Sequence, residues 1–245
     1  MAENGGVALV SGVNRGIGRE DVRQLAERGS TTILGSRDKE KGWAVAEEID
    51  GDVRVRQLDV TNEKGIQNLA REVEEELGWL DILVNNAGVA MDGGQRGVDA
   101  DLDVVLETME MNLFGAWLLC EAFVSPMQRN EYGRVVNVSS VMGAPNDMGG
   151  GSPAYRVSKM ALNALTRILA SELRGSGILV NLVCPGCVRT NMGGSSVSAP
   201  GRGGRGYAGA GGNAPEQRPN RRLLPGSSPD PQVKETCIET RTRSA

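Results

Sequence analysis

A glycine-rich turn near the N-terminus constrains this chain more than any other feature. Gly12-Val13-Asn14-Arg15-Gly16-Ile17-Gly18 follows a short apolar run, Val7–Ser11. It opens a stretch, residues 19–29, with Val22, Leu25 and Ala26 at helical spacing and Gly29 as a stop. Glycines there permit a tight turn. They also let a pyrophosphate approach the backbone N–H groups at a helix N-terminus. The spacing is G-x-x-x-G-x-G rather than G-x-G-x-x-G, and glycines alone would serve an ordinary turn. The position between a first strand and a first helix is what favours phosphate binding.

The rest of the chain repeats that alternation. Strand-like runs cover residues 31–34, 53–58, 80–84, 134–138 and 178–183. Helical patterns cover residues 39–49, 66–77, 102–123 and 154–173. Strands that alternate with helices pair in parallel through right-handed crossovers, which predicts an α/β fold with a doubly wound parallel sheet of the Rossmann type. Six strands are recognisable. Residues 1–192 are expected to form one dinucleotide-binding and catalytic domain, a size that supports a substantial core. Residues 193–245 differ. They hold six of the ten prolines, only five of Leu, Ile, Val or Phe, and a charge of +4, against −8 for the preceding part. Such a segment buries no core and is expected to be an irregular or disordered tail.

Composition excludes several chemistries. The chain has no histidine, which removes imidazole bases and Ser-His-Asp triads. Its net charge of −4 argues against nucleic acid as the main partner. Cys184-Pro185-Gly186-Cys187 matches C-x-x-C, but a zinc site needs a second ligand pair and none is visible, so no metal is expected. Free thiols, no signal segment and no apolar run of membrane-spanning length predict a soluble cytoplasmic protein.

Two further stretches carry chemistry. The second strand ends in Gly35-Ser36-Arg37-Asp38. An acidic residue there would hold the ribose 2′-OH of NAD, whereas Arg37 together with Arg15 suits a 2′-phosphate. NADP(H) is therefore favoured over NAD(H), although Asp38, one position along, would restore an acidic ribose ligand. Downstream, Tyr155 and Lys159 lie four residues apart, on one face of a helix. An ammonium beside a phenol favours the phenolate and is expected to lower a pKa that starts near ~10.

In this order, Ser11-Gly12…Gly16-Ile17-Gly18, Leu58-Asp59-Val60, Asn85-Asn86-Ala87-Gly88, Asn112, Ser139-Ser140, Tyr155…Lys159 and Pro185-Gly186…Thr190 resemble the short-chain dehydrogenase/reductase family. The likeness covers residues 5–192 and is nearest the single-domain, carbonyl-reductase-like branch. It implies a hydride transfer between nicotinamide and a small ketone or aldehyde, or the alcohol in reverse. Tyr155 would be the proton donor, Ser140 would orient the carbonyl oxygen, and Lys159 would hold the nicotinamide ribose and tune Tyr155. Asn112 would place a water that links Lys159 to solvent. Asp59 would meet the adenine amino group with Val60 beside it, Asn86 and Gly88 would line the cofactor groove, and Val188 and Thr190 would hold the carboxamide. Gly12, Asn14, Arg15, Gly16, Ile17 and Gly18 would form the phosphate loop.

After Met192 the resemblance stops. The substrate-covering helix and seventh strand that the family carries are not recognisable. With suitable codons, Gly203 to Tyr207 and Pro219 to Ser227 both read as family-like C-terminal segments shifted by the same single-base offset, so a frameshift is the expected origin of the tail. Without a lid, a catalytically impaired nucleotide-binding relative is the alternative to an active reductase, and an RNA-binding role of the Arg/Gly tail ranks below both. A homodimer through helices near residues 112–128 and 154–173 is compatible with this reading, and a tetramer paired through the last strand is disfavoured.

Overall fold

The computed structural model describes residues 5–185 and the two-residue strand Glu235–Thr236. Seven strands form one parallel sheet in the order β3-β2-β1-β4-β5-β6-β7. These are β1 (Val7–Ser11), β2 (Thr31–Ser36), β3 (Val53–Gln57), β4 (Ile82–Asn85), β5 (Gly133–Val138), β6 (Ile178–Val183) and β7 (Glu235–Thr236). The order reverses between β1 and β4, which opens a crevice at the carboxyl ends of these strands. Parallel strands are covered on both faces, which explains why β1 and β4 read as unbroken apolar runs.

The helices divide between the two faces. On one face lie α1 (Gly16–Glu27) and α2 (Lys39–Ala46), where Val22, Ala26 and Val45 pack on Val10, Leu34 and Val84. On the other face lie α3 (Glu63–Leu77), α5 (Gly115–Arg129) and α6 (Pro153–Glu172), whose Ile66, Leu119 and Ala170 join Leu9, Leu83 and Val180 in the main core. Asn62 caps α3 by accepting from Gly65 N–H at 3.1 Å, and Gly78, at φ +86°, ends it. The second face is the better filled. Leu83, Val135 and Val180 are fully buried there, whereas Ile82 and Val136 on the first face stay half-buried and Leu179 is exposed.

Some boundaries differ from the sequence reading. Residues 102–123 do not form one uniform helix. α4 (Leu102–Met109) passes through a π-helical turn, Glu110–Phe114, into α5, which runs on to Arg129 through Pro126. Proline forfeits one intrahelical bond, and here the remaining turn still closes because Asn130 N–H reaches the carbonyls of Pro126 and Met127. Six strands were expected, and the open edge of β6 also carries β7, pairing Leu182 with Glu235 and Val183 with Thr236. An edge strand presents backbone groups that any extended segment can meet, so side-chain pattern gave no warning of this. The expected tail, the expected loss of the lid and the expected frameshift otherwise lie outside the described residues. Among the described residues no helix is long and apolar enough to cross a membrane.

Candidate active site

The phosphate loop is built around backbone contacts that leave no room for side chains. Gly12 has φ +71°, and a Cβ there would lie 2.6 Å from Ala87 Cα. Gly18 faces Asn86, whose Nδ2 would meet an added Cβ at 2.5 Å. Asn86 Nδ2 donates to the carbonyls of Ser11 (3.0 Å) and Gly12 (2.8 Å), so its side chain ties the loop to the end of β4. Ser11 Oγ completes the junction by accepting from Asn86 and Ala87 N–H, each at 3.1 Å. Arg15 stands extended before α1, and no side chain caps that helix. Its first N–H groups face the loop as an anion site. Gly16 is exposed and Ile17 half-buried on the same turn.

The neighbouring strand end separates Arg37 from Asp38. Asp38 accepts from Glu40 N–H (3.1 Å) and Lys41 N–H (3.2 Å) and pairs with Lys41 Nζ at 3.0 Å. These bonds hold its carboxyl below the usual range, the Lys41 side chain contributing most. Asp38 is thus the cap of α2. Ser36 Oγ donates to Asn14 Oδ1 at 2.6 Å and fixes the loop against β2. Arg15 and Arg37 are exposed and have no ion-pair partner among the described residues. Asp59 accepts from Thr61 N–H (3.0 Å) and Thr61 Oγ1 (2.8 Å), which shapes the turn after β3. The Val60 side chain packs into the core against Gly115, where an added Cβ would lie 2.7 Å from Val60 Cγ2.

The reactive groups converge on α6. The Ser140 hydroxyl lies near enough to Tyr155 to act on its phenol, and Lys159 Nζ lies 5.8 Å from the Tyr155 ring centre. Lys159 is buried and donates to Val138 O at 2.9 Å. Gly88 makes room for Asn112, because a Cβ there would lie 3.0 Å from its Oδ1, and Lys159 Nζ would be in ordinary contact at 3.5 Å. Asn112, in the π-helical turn, accepts from Val89 N–H at 2.8 Å and donates to Val89 O and Ser158 Oγ, each at 2.9 Å. Its side chain is therefore spent on bracing the loop after β4. Val188 and Thr190 lie outside the described residues, as does Cys187, while Cys184 is a free, half-buried thiol.

One expectation is corrected here. The phenol of Tyr155 was expected below its ordinary pKa, yet it lies above it. Burial outweighs the lowering by the Ser140 hydroxyl, and Cys184 adds to the rise. The same desolvation brings Lys159 down to about 8. Burial, rather than the lysine charge, sets both groups.

Sequence reasoning missed several polar residues that hold the site. Ser139 Oγ donates to Asn163 Oδ1 at 2.5 Å, and Asn163 Nδ2 donates to Gly143 O at 3.1 Å, so one side chain brackets the turn carrying Ser140. Asn85 Nδ2 donates to Asn137 Oδ1 at 2.8 Å, and Asn137 Nδ2 donates to Thr166 Oγ1 at 2.9 Å, which ties β4 and β5 to α6. Asp92 caps α6. Asn137 interrupts the apolar run of β5, which was a readable signal, whereas Asn85 ends β4 and meets it only through the strand register.

A glycine loop at an uncapped helix start, at the switch point of a parallel sheet, beside Tyr155, Ser140 and the buried Lys159, defines a dinucleotide-dependent oxidoreductase. The short chain dehydrogenase family matches residues 6–200, and the chain belongs to it. It is 36% identical over 186 residues to a 3-oxoacyl-(acyl-carrier-protein) reductase of Bos taurus, covering 76% of this chain and 77% of the relative. It is 32% identical to a (+)-neomenthol dehydrogenase of Arabidopsis thaliana, covering 76% and 83%. Among solved structures, a metagenomic short-chain oxidoreductase in complex with NADP superposes with a TM-score of 0.68 at 35% identity, covering 76% of this chain and 85% of the other.

Proposed function

We propose that this chain is an NADP-dependent reductase of a small ketone or aldehyde. The observation that carries the nucleotide choice is the commitment of Asp38 to the α2 cap, which leaves Arg37 and Arg15 as the open side chains at the strand end. An arginine pair suits a 2′-phosphate, and no acidic group there is free to hold a 2′-OH. The NADP-bound solved relative supports the same choice. The names of the other two relatives, a 3-oxoacyl reductase and a neomenthol dehydrogenase, denote interconversion of a carbonyl and an alcohol.

Bound nicotinamide would supply the hydride. The chain's own residues deal with the proton and the developing charge. Tyr155, protonated at neutral pH as an ordinary phenol is and kept so by burial, gives its proton to the carbonyl oxygen. Ser140, beside the phenol, orients that oxygen and stabilises its charge. Lys159 sits between Tyr155, Gly88 and Val138, where it can meet the ribose hydroxyls. A homodimer is part of this proposal, because Phe114 and Trp117 around the start of α5 and Val157 and Ile168 on α6 are exposed apolar groups. A tetramer paired through the β7 edge is disfavoured, since that edge pairs only two residues among those described. Cytoplasmic residence remains an expectation of composition.

The test is NADPH binding by fluorescence, followed by turnover on a panel of small carbonyls, for the full chain and for Tyr155→Phe. Binding of both proteins with turnover only in the first is the expected result. Turnover that survives in Tyr155→Phe refutes the mechanism, and binding without turnover in either supports the impaired-relative reading.

A further inference from the structure

The start of α6 has an unusual solution to its unpaired N–H groups. Ser152, the residue before the helix, is left-handed at φ 49° and ψ 53°, and its side chain makes no cap. Pro153 has no N–H. Arg156 N–H bonds to Ser152 O at 3.0 Å. The remaining two donors, Ala154 N–H and Tyr155 N–H, both go to Asp92 Oδ2, at 2.7 and 3.4 Å. Asp92 is buried, sits 63 residues earlier in the loop after β4, and satisfies the helix start that the local sequence leaves open.

The carbonyl of the same residue, Tyr155, is also held. Tyr155 O accepts from Ser158 Oγ at 2.8 Å, Ser158 Oγ accepts from Asn112 Nδ2, and Asn112 grips both backbone groups of Val89. Val89 and Asp92 belong to one short loop. A closed ring of hydrogen bonds therefore runs from that loop through Asp92 to Tyr155 N–H, through the tyrosine backbone to Ser158 and Asn112, and back to Val89. Gly88, against which Lys159 rests, lies at the start of the loop.

We propose that Asp92 is a positioning residue for Tyr155. By taking the tyrosine's own N–H, it fixes the height of the phenol over the sheet and locks it to the loop that flanks Lys159. Capping alone would need only some acceptor at the helix start. This acceptor is bonded to the reacting residue itself, and it comes from the wall of the cofactor groove. Misplacement of a catalytic group by on the order of 1 Å costs ~100-fold in rate, so loss of this anchor lowers turnover. The rate arm of this proposal rests on the reductase reading above. The structural arm does not.

The experiment uses the full chain labelled with 13Cζ-tyrosine, which contains three tyrosines. The Tyr155 signal is assigned through Tyr155→Phe, and Tyr132, away from the site, is the internal reference. In Asp92→Ala the Tyr155 signal moves or broadens while Tyr132 holds, kcat falls roughly 10- to 100-fold, and NADPH affinity stays within about two-fold of the parent, as expected for lost positioning rather than lost binding. Asp92→Asn keeps one acceptor oxygen and returns kcat to within about three-fold. Asp92→Glu keeps the charge and the cap but adds a methylene, so it displaces Tyr155 even if the alanine variant does not fold. An unchanged Tyr155 signal in Asp92→Glu and in folded Asp92→Ala overturns the proposal. So does equal displacement of Tyr132 and Tyr155, which marks a general structural loss. If the parent chain turns over no carbonyl, the reductase reading fails, and the NMR arm still decides on Asp92.

Discussion

Replacing Lys159 by Met tests whether burial really governs the titration of this site. The lysine is fully enclosed, and desolvation brings its pKa from 10.5 to about 8. In the unfolded chain it keeps its proton up to about pH 10.5, and in the fold it releases it above about 8. Below pH 8 both states are charged, and the fold carries the whole cost of a buried ammonium. Between pH 8 and 10.5 only the unfolded state binds the proton, so stability rises with pH by about 1.4 kcal/mol per unit. The full span corresponds to about 3 kcal/mol, relieved as pH rises and imposed again as it falls through 8.

Lys159→Met keeps a stem of similar length and removes the charge. The quantity to follow is parent stability minus variant stability, from urea unfolding read by the fluorescence of Trp43, Trp79 and Trp117. Between pH 7 and 9.5 this difference should rise by about 2 kcal/mol. Working with a difference matters because other groups titrate nearby. Burial pushes the Cys120 thiol up to about 12, which makes the fold lose stability above pH 9, and Asp21, raised to about 6 by burial, acts between pH 4 and 6. Both are common to the two proteins and cancel. Loss of the bond to Val138 O is independent of pH and shifts only the baseline. A difference that stays flat within ~0.5 kcal/mol refutes desolvation as the cause, because it means that water or a counter-charge reaches the ammonium.

Three further substitutions probe the parts around it. Gly12→Ala places a methyl 2.6 Å from Ala87 Cα at φ +71°, so it should cost about 1–3 kcal/mol in urea unfolding and weaken NADPH binding, and unchanged values would refute the close-packed loop. Arg37→Ala should weaken NADPH by roughly ten-fold or more, as for loss of a charge-assisted bond, and leave NADH binding unaltered, whereas equal loss of both would remove Arg37 from the 2′ position. Asn163→Ala strips the bracket from Ser139 and Gly143 and should lower kcat by about ten-fold with NADPH affinity preserved. Lost NADPH affinity with kcat intact would instead assign Asn163 to the cofactor groove.

Much of this architecture was legible because it is periodic. β1, β2, β5 and β6 are apolar runs bounded by glycine or polar turns, and their alternation with helices leaves a parallel sheet as the simple solution. The phosphate loop and the Tyr155–Lys159 pair were legible because their chemistry depends on spacing along the chain. What escaped depends on spacing through the fold. Asp92 meets Tyr155 across 63 residues and Asn112 meets Ser158 across 46, and neither separation leaves a local pattern. Arg37 and Asp38 show the intermediate case. The sequence offered both as ribose ligands, and in the fold Asp38 is engaged by the N–H groups of Glu40 and Lys41, which is why the proposed function gives Arg37 the 2′ position.

The raised pKa of Tyr155 bears on the role the proposed function gives it. A phenol with a lowered pKa would stand ready to take a proton from an alcohol. The half-buried phenol here, pushed above its ordinary pKa, holds its proton at neutral pH beside Ser140, and under the proposed function it gives that proton to a carbonyl oxygen. Desolvation acts on Lys159 in the opposite sense and still leaves most of its charge in place at pH 7, one unit below its pKa of about 8. A neutral acid and a nearby cation form the pair that a developing alkoxide requires. As the pH rises past 8 the cation discharges first, because the phenol's pKa lies above 10. Under the proposed mechanism the rate of carbonyl reduction therefore falls on the alkaline side through the lysine before the tyrosine loses its proton. In Lys159→Met that first descent near pH 8 should be absent from the pH profile of whatever turnover remains. A descent near pH 8 that persists in the variant would assign it to another group and return the phenol to consideration.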